Sequence, residues 1–373
     1  MRPLELYIHI PFCIQKCKYC DFLSAPSCAK ERYDYVESLC EKIRSYGAFA
    51  KAYCVVSIFV GGGTPSILEA SQMTEIFEAV REIFTVSEDA EITVEMNPGT
   101  VTREKLKAYK KSGVNRLSIG LQSVNNHELK ALGRIHTYEE FLETYQMARE
   151  EGFENINIDL ISAIPFQTVE SWKSTLHTVC RLNPEHISAY SLIIEEGTPF
   201  YERYGEGEHE EELPDEDAER QMYHDTKQIL AEYGYERYEI SNYAKKGYEC
   251  RHNLGYWSRT EYLGIGAGAA SLIDDCRWTQ GTGSNAFDSC EKECLTVQEQ
   301  MEEFMFLGLR KIQGVSKKEF FEQFGVTMES VYEKVLEEMC KKELLEEKDC
   351  YVRLTEKGID VSNYVMSEFL LGE

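Results

Sequence analysis

The chain has 373 residues, 43% of them hydrophobic and 12% aromatic, which is enough for one large globular domain and a smaller one. Its 65 acidic and 40 basic residues give a formal charge of −25, and a surface this acidic repels phosphate backbones, which excludes nucleic acid as a partner. No apolar run is long enough to cross a membrane and no basic-plus-apolar signal segment opens the chain, so a cytoplasmic protein is expected.

The first chemically informative stretch follows a short apolar run with strand character. Cys13, Cys17 and Cys20 are spaced C-x3-C-x2-C on one short loop, so their three thiolates can turn toward a single point. Three thiolates suit a soft metal centre, and a [4Fe–4S] cluster normally takes one thiolate per iron. We therefore predict an iron–sulfur cluster on this loop, with one iron free for another ligand.

Two other uses of these cysteines are weaker. A structural zinc site needs a fourth Cys or His at ribbon or finger spacing, and the nearest candidates, His9 and Cys28, fit no such pattern. A disulfide framework is disfavoured because the thirteen cysteines are an odd number at irregular spacings. The other ten cysteines are expected to be reduced and mainly buried thiols.

From residue 4 to about residue 191, short β-rich runs alternate with helical patterns, which indicates repeated βα units around a parallel sheet. In barrels of this kind, functional residues lie at the C-terminal ends of the strands and in the loops that follow them. Polar and glycine residues occupy those positions here. The six predicted strands are 4–10, 55–60, 91–96, 116–119, 155–160 and 186–191.

Several further motifs accompany the cysteine loop. They are Gly-Gly-Gly-Thr-Pro-Ser at 61–66, Asn-Pro-Gly at 97–99, Gly-Leu-Gln-Ser at 120–123 and His-Asn-x-x-Tyr-Trp at 252–257. Together these motifs resemble the oxygen-independent coproporphyrinogen III oxidase-like family of radical S-adenosylmethionine (SAM) proteins. The resemblance implies an α/β fold, an incomplete (β/α)6 TIM-like radical SAM barrel with a small C-terminal winged-helix-like domain. It also implies a [4Fe–4S] cluster on the three cysteines, whose free iron is chelated by the amino and carboxylate groups of SAM.

The resemblance assigns the SAM-binding residues, most of which stand at or just after strand ends. They are Tyr7, Gly62, Gly63, Thr64, Glu95, Gln122, Arg134 and Asp159. Glycine lets the backbone approach a ligand closely, carboxylates and amides accept hydrogen bonds from ammonium and ribose groups, and arginine pairs with a carboxylate. Taken singly, each polar residue is more simply a structural hydrogen-bonder. Together, at the ends of successive strands behind one cluster motif, they indicate one ligand site.

Two residues of the first strand share its inner face. Tyr7 and His9 alternate with apolar neighbours, so both are predicted to look into the barrel beside the cluster. A buried histidine that is satisfied by neighbouring backbone explains His9 equally well.

We divide the chain into a barrel at 1–235, an extension at 236–297 that carries the His-Asn-x-x-Tyr-Trp motif and packs on the barrel, and the winged-helix-like domain at 298–373. The last segment holds ten basic and seventeen acidic residues, which disfavours DNA-groove binding. A packing or partner module is the better interpretation of this domain.

Two functions are compatible with the resemblance. In the first, the protein binds heme as cargo and transfers it to acceptor hemoproteins, some of them membrane-associated, and a homodimer is allowed. His252 would then donate an imidazole to the heme iron, with Tyr256 and Trp257 as an aromatic surface for the porphyrin. A hydrogen-bonded turn with the Tyr-Trp pair packed in the core is the alternative for this motif.

The second function is an enzyme, an oxygen-independent coproporphyrinogen III oxidase that decarboxylates its substrate through a 5′-deoxyadenosyl radical. The true dehydrogenases of the family carry a further cysteine where this chain has Phe22, and extra N-terminal residues where only six precede Tyr7 here. We therefore expect the heme-carrying function. Transfer of a methyl or other group to an unrelated substrate is a third possibility. The barrel alone does not favour it, because one fold hosts many chemistries, and no segment beyond the barrel points to it.

Overall fold

The structure is a computed structural model, and it describes residues 1–283, 287–288 and 291–372. The strands of the first part of the chain are β1 (Arg2–Ile10), β2 (Phe12–Cys13), β3 (Ala25–Pro26), β4 (Tyr53–Gly62), β5 (Thr85–Met96), β6 (Arg116–Gln122), β7 (Ile156–Ser162) and β8 (His186–Ser191). The strands β1, β4, β5, β6, β7 and β8 lie side by side in that order, all parallel. All six predicted strands are confirmed, although most of them run beyond their predicted bounds.

Helices connect these strands and cover the outer face of the sheet. They are α1 (Ala29–Ser45), α2 (Gly47–Ala50), α3 (Ala70–Ile83), α4 (Arg103–Lys111), α5 (Asn126–Ala131), α6 (Tyr138–Glu150), α7 (Val169–Leu182), α8 (Pro199–Tyr204) and α9 (Glu216–Glu232). Threonine begins several of them, because its hydroxyl accepts a hydrogen bond from an otherwise unpaired N–H of the first turn. Thr102, Thr137 and Thr168 do this for α4, α6 and α7.

The alternation of side chains along β1 explains how the barrel gains both a core and a site. Leu4, Leu6, Ile8 and Ile10 are fully buried in the main hydrophobic core, which the helices share. The residues between them point to the other face because side chains alternate along a strand. The inner face is therefore polar, and it is left for hydrogen-bonded groups and ligands.

The predicted extension adds strands to both edges of this sheet. Its elements are β9 (Glu236–Arg237), β10 (Asn242–Ala244), α10 (Arg251–Trp257), β11 (Tyr262–Ile265), β12 (Ala270–Ile273), β13 (Cys276–Thr279) and β14 (Glu293–Cys294). Strand β11 pairs with β1 in parallel, and β10 pairs with β8 in antiparallel fashion. The outermost strands β14 and β9 do not pair with each other in the described residues, so the barrel is incomplete, as predicted. The division of the chain at 235 and 297 stays a prediction.

The C-terminal region has a hydrophobic core of its own. It consists of α11 (Val297–Gly308), β15 (Val315–Ser316), α12 (Lys317–Phe324), α13 (Met328–Lys341), β16 (Leu345–Lys348), β17 (Tyr351–Leu354), α14 (Glu356–Asp360) and α15 (Ser362–Ser367). Strands β15, β17 and β16 form a small antiparallel sheet, with β16 and β17 as a hairpin wing beside the helices. Among the described helices, none combines the length and the apolar character that a membrane span needs.

One prediction about the cysteines is wrong. Cys276 and Cys294 lie opposite each other on β13 and β14 and form a disulfide, so not all ten remaining cysteines are free thiols. Cys28 and Cys350 are free but exposed, whereas burial was expected for most of the set. Cys290 lies outside the described residues.

A second feature concerns the loop after β7. Ala163 there adopts a φ of 57°. That conformation is disfavoured for a residue with a Cβ, so this turn carries a modest strain that glycine would avoid.

Candidate functional site

The C-terminal ends of the six parallel strands surround a cleft of about 720 Å³, counted with its opening to solvent. The cysteine loop forms one wall, and residues near the C-terminal ends of β4 to β8, with the segments after β4, β5 and α5, form the others. This cleft brings together the three cysteines and seven of the residues predicted to bind SAM. The seven are Gly62, Gly63, Thr64, Glu95, Gln122, Arg134 and Asp159.

Backbone contacts fix the cysteine loop in the cleft. Strand β2 pairs with β3, and Lys18 N–H donates to Leu132 O at 3.0 Å while Lys18 O accepts from Phe200 N–H at 3.0 Å. All three cysteines are free thiols. In the described part of the chain, their sulfurs do not gather within 4.8 Å of one another. Thiolates that share one zinc ion lie about 2.3 Å from the metal and therefore closer together than this, so the three sulfurs are not arranged as a closed zinc site.

The glycine turn after β4 exists because two other segments pass very close to it. Gly62 has a φ of 113°, and a Cβ there would lie 2.5 Å from the ring of His9. A Cβ on Gly63 would lie 2.6 Å from Phe12 O and 3.0 Å from the sulfur of Cys13. Only glycine lets the strand end reach the cysteine loop this closely. The turn therefore sets the distance between the cluster loop and the sheet.

A hydrogen-bond network joins two of the cysteine sulfurs to the strand ends. Arg134 Nη2 donates to Gly120 O and to Asn97 Oδ1, both at 2.8 Å, and its Nη1 lies 3.6 Å from Cys17 Sγ. Asn97 Nδ2 donates to Thr64 Oγ1 at 2.8 Å, and Thr64 Oγ1 donates to Cys13 Sγ at 3.5 Å. Donors that point at sulfur stabilise thiolate charge, so this network suits cysteines that ligate a metal.

Two buried carboxyl groups face the interior of the cleft. Burial raises the pKa of Glu95 to about 8, and the nearby Asp159 adds to the rise. Burial also raises the pKa of Asp159, although hydrogen bonds from Asn157 Nδ2 at 2.7 Å and Ser118 Oγ at 3.1 Å oppose it. A cation between the two groups would favour their ionised forms. The sulfonium and ammonium groups of SAM carry that charge.

Gln122 offers a hydrogen-bond acceptor to a ligand. It has a φ of 73° at a register shift between β6 and β7, which turns its side chain into the cleft. Its Oε1 atom is buried and has no partner among the described residues. Buried polar atoms are normally paired, so this one fits a ligand hydroxyl such as those of ribose. The residues present thus fit both the cluster and SAM, which together supply one-electron reductive chemistry when bound.

Comparison with known proteins gives matches along the whole chain. The model of the radical SAM superfamily matches residues 7–179, and that of the HemN C-terminal domain matches residues 295–361. The heme chaperone HemW of Lactococcus lactis is 37% identical over 379 residues, which cover 100% of this chain and 98% of the relative. The chain belongs to the HemW family of radical SAM proteins. HemW of Bacillus subtilis is also 37% identical, over 98% of each chain, and HemW of Escherichia coli is 36% identical, over 99% of each.

A solved structure confirms the fold. Coproporphyrinogen III oxidase (HemN) from Escherichia coli, described as a radical SAM enzyme, superimposes with a TM-score of 0.86 over 99% of this chain and 90% of that protein. At 24% identity, the similarity establishes the shared fold alone. The predicted radical SAM barrel with a C-terminal domain is therefore confirmed.

Two residues predicted to bind ligands in this HemW-family chain do not line the cleft. Tyr7 lies deeper in the barrel, where its hydroxyl donates to His9 Nδ1 at 3.0 Å. His9 must be protonated on Nε2, because that nitrogen lies 2.9 Å from the carbonyl oxygen of Leu23. Tyr7 and His9 therefore stabilise the cysteine loop from inside the barrel, through the hydrogen bond of His9 to the backbone of Leu23.

The structure places His252 toward the opposite, N-terminal ends of the strands. The side chain is 1% exposed, with Nδ1 2.8 Å from Ser57 Oγ and Nε2 3.2 Å from Tyr256 Oη. Burial lowers its pKa to about 3. Both ring nitrogens are thus engaged within the protein, which is the environment of a hydrogen-bonded structural histidine.

Two residues of the cleft were not predicted from the sequence. Asn97 stands in a motif that was noted, but its place between Arg134 and Thr64 depends on contacts between distant loops. Tyr190 also lines the cleft, near the end of β8. The same strand-end position that indicated Glu95 and Asp159 was available as a signal for both residues.

Proposed function

We propose that this protein binds heme and passes it to acceptor hemoproteins, and that it holds a SAM-chelated [4Fe–4S] cluster on Cys13, Cys17 and Cys20. One observation carries the proposal: relatives named heme chaperones match the chain over essentially its full length at 36–37% identity. The cleft supports the cofactor part, because it offers three free thiols and a set of SAM-compatible groups.

The residues of the cleft divide the work of holding SAM. Glu95 and Asp159 attract its positive charge, and Gln122 accepts a hydrogen bond from a ribose hydroxyl. Gly62 and Gly63 let the backbone approach the amino-acid end of the ligand. Arg134 connects the end of β6 to the cysteine loop, and its guanidinium group can also pair with the carboxylate of SAM.

The second candidate is oxygen-independent oxidation of coproporphyrinogen III. It is favoured by one observation, the completeness of the SAM cleft in a chain that shares the HemN fold over 99% of its length. A carrier that only binds heme has no evident need for such a site. Against it stands Phe22, which occupies the position of a further cysteine in the true dehydrogenases.

The test is an anaerobic absorbance titration of the cluster-loaded protein with heme, followed by mixing with an apo-hemoprotein acceptor. Saturable one-to-one binding and appearance of the acceptor's heme spectrum are expected. Unsaturable binding would contradict the proposal. Release of carbon dioxide from coproporphyrinogen in the presence of SAM would establish the enzyme instead.

Two remaining predictions are tested on the same protein, the first by the same titration. If His252 ligates the heme iron, His252→Ala must weaken binding and change the Soret band while the cluster spectrum stays intact. Gel filtration before and after heme loading tests for a homodimer. The acceptors, including membrane-associated hemoproteins, are proposed to meet the protein in the cytoplasm.

A further inference from the structure

The mouth of the cluster cleft exposes apolar side chains that solvent would not favour. Apart from the N-terminal Met1, Ile193 and Phe22 are the most exposed large hydrophobic residues of the described chain, at 66% and 64%. Phe22 lines the cleft from the cysteine loop, and Ile193 comes two residues after the end of β8. Both therefore belong to loops at the same end of the barrel. An exposed apolar side chain at the edge of a cleft, such as Phe22, indicates a contact surface for a ligand or partner.

A free cation stands at the same mouth. Lys16 lines the cleft and is exposed, and within the described ranges its ammonium group makes no ion pair and no hydrogen bond. This is unexpected in a chain with 65 acidic and 40 basic residues, where carboxylates are abundant. An unpaired lysine beside an apolar surface suits a ligand that is flat and apolar in its body and anionic at its edge.

The interior of the cleft favours a cation, whereas its mouth favours an anion. Glu95 and Asp159 lie there with raised pKa values, so a cation is favoured inside. The cleft thus has two zones of different charge preference. SAM suits the inner zone, and the outer zone suits a second molecule with anionic groups.

Given the proposed function, on which this inference rests, we infer that the porphyrin cargo binds at the mouth of the cluster cleft, with its face on Phe22 and a propionate on Lys16. A metalloporphyrin combines a flat apolar face with two carboxylates on one edge, which matches this surface. The ring would then lie directly outside SAM. The other end of the barrel cannot receive it without opening, because His252 there is almost fully buried.

The experiment uses the full-length, cluster-loaded chain and two probes, hemin and hemin dimethyl ester, in anaerobic absorbance titrations. Lys16→Glu is expected to weaken hemin binding about tenfold, because it removes a charge-assisted contact and adds repulsion. It should leave the dimethyl ester, which has no anionic edge, unaffected. Phe22→Ala should weaken the binding of both probes about tenfold, because it removes the apolar contact.

Two matched controls separate these effects from general changes of charge or surface. Lys51→Glu makes the same charge change at an exposed lysine just after α2, outside the cysteine loop. Phe321→Ala removes a phenylalanine of similar exposure, 52%, from the C-terminal region. Neither control should change the affinity for hemin. Iron content and SAM binding of each variant show that the cluster is intact, and Lys16→Met replaces Lys16→Glu if the charge reversal disturbs cluster loading.

The outcomes distinguish this inference from the proposed function. Saturable hemin binding that is unchanged in Lys16→Glu, Lys16→Met and Phe22→Ala would overturn the location and leave the heme-carrying function standing. Weakening in His252→Ala alone would move the cargo to the other end of the barrel. Failure of the wild-type protein to bind hemin at all would overturn both.

Discussion

The two ends of the barrel are built from the same strands, but one end is open and the other is closed. At the C-terminal end, Glu95 and Asp159 face an open cleft, where Gln122 Oε1 is without a partner among the described residues. Toward the N-terminal end, Glu91 accepts hydrogen bonds from the backbone N–H groups of Arg251 and His252, at 3.1 Å each. Helix α10 therefore closes that end, whereas nothing in the described chain closes the other.

A buried carboxyl group with a perturbed pKa does not by itself indicate a ligand site. Burial raises the pKa of Glu95 to about 8 at the open end, and it raises that of Glu5 to about 9 at the closed end. The two groups look alike in this respect. What differs is the access of solvent and ligand, which depends on whether a later segment of the chain covers the strand ends.

The largest expected contrast concerns one cysteine at each end. Cys17→Ser should abolish the cluster, with iron falling from about four atoms per chain to nearly none, because a thiolate ligand is lost. Cys250→Ser should keep full iron. The native thiol of Cys250 lies 3.4 Å from Glu91 Oε1, far from the cysteine loop. Iron and sulfide analysis of both purified variants measures this. Full iron in Cys17→Ser would contradict the cluster assignment.

The next contrast concerns one glycine at each end. A Cβ on Gly255 would lie 2.0 Å from Glu5 Oε1, and one on Gly62 would lie 2.5 Å from the His9 ring. Each alanine variant should lower the free energy of unfolding by about 3 kcal/mol through overpacking. Denaturant titration measures this loss, and isothermal titration with SAM separates the two ends. Only Gly62→Ala should also lose SAM affinity in its folded fraction.

A second-site change sharpens this contrast. Glu5→Ala in the Gly255→Ala background removes the atoms that the new methyl group meets, so it should recover a large part of the lost stability. If the double variant is as unstable as the sum of the single variants, the clash is not the cause.

A smaller effect is expected from Glu95→Gln on SAM binding. The positive charge of SAM favours ionised Glu95, and ionisation costs free energy below its pKa of about 8. Wild-type affinity should therefore rise by up to tenfold per pH unit between pH 7 and pH 8 and level off above it. Glu95→Gln should bind about tenfold more weakly at pH 9 and show no such rise. Glu5→Gln, the same change at the closed end, is the matched control and should leave SAM binding unaltered.

A further effect is a pH dependence of stability that arises at the closed end. Folded Glu5 keeps its proton up to about pH 9, whereas the unfolded chain releases it near 4.5, so stability falls as the pH rises through this range. Glu5→Gln stays neutral and should gain about 1 to 3 kcal/mol over the wild type at pH 8 and almost nothing at pH 5. Urea unfolding at both pH values measures the difference. An equal gain at pH 5 and pH 8 would show that ionisation is not involved.

His252 contributes with the opposite sign. The unfolded chain binds a proton on this residue below about pH 6.5, whereas the folded protein does so only near pH 3. Its contribution to stability is therefore complete above pH 6.5 and is lost as the pH falls toward 3. The acid limb of the stability profile should become shallower in His252→Asn, while the alkaline limb stays as in the wild type.

Much of the open end was predictable from sequence because its signals are local. The spacing of Cys13, Cys17 and Cys20 predicts a cluster loop, and the alternation of apolar residues predicts the strands that carry Glu95 and Asp159. Parallel strands bring their carboxyl ends to one edge, so seven predicted residues could be placed in one cleft. The depth of Tyr7 in the barrel was not predictable, because alternation shows which face a residue occupies but not how deep it lies. Its part in binding SAM stays a prediction.

The closed end was not predictable, because it depends on contacts between residues far apart in the chain. His252 meets Ser57 across 195 positions, and nothing in the motif around it tells which end of the barrel it occupies. The pairing of Cys276 with Cys294 has the same origin, since two strands bring those thiols together at a spacing that matches no disulfide pattern.

The position of β1 has a consequence for how the protein is made. This strand carries the cluster loop at its end and is hydrogen-bonded to β4 on one side and to β11 on the other. During translation β4 follows soon, but the partner residues of β11, such as Gly264 opposite Tyr7, leave the ribosome about 250 residues later. Until then one edge of β1 stays unpaired, in a chain open to wrong strand pairing. The edge of the sheet that borders the cysteine loop is therefore exposed for most of synthesis.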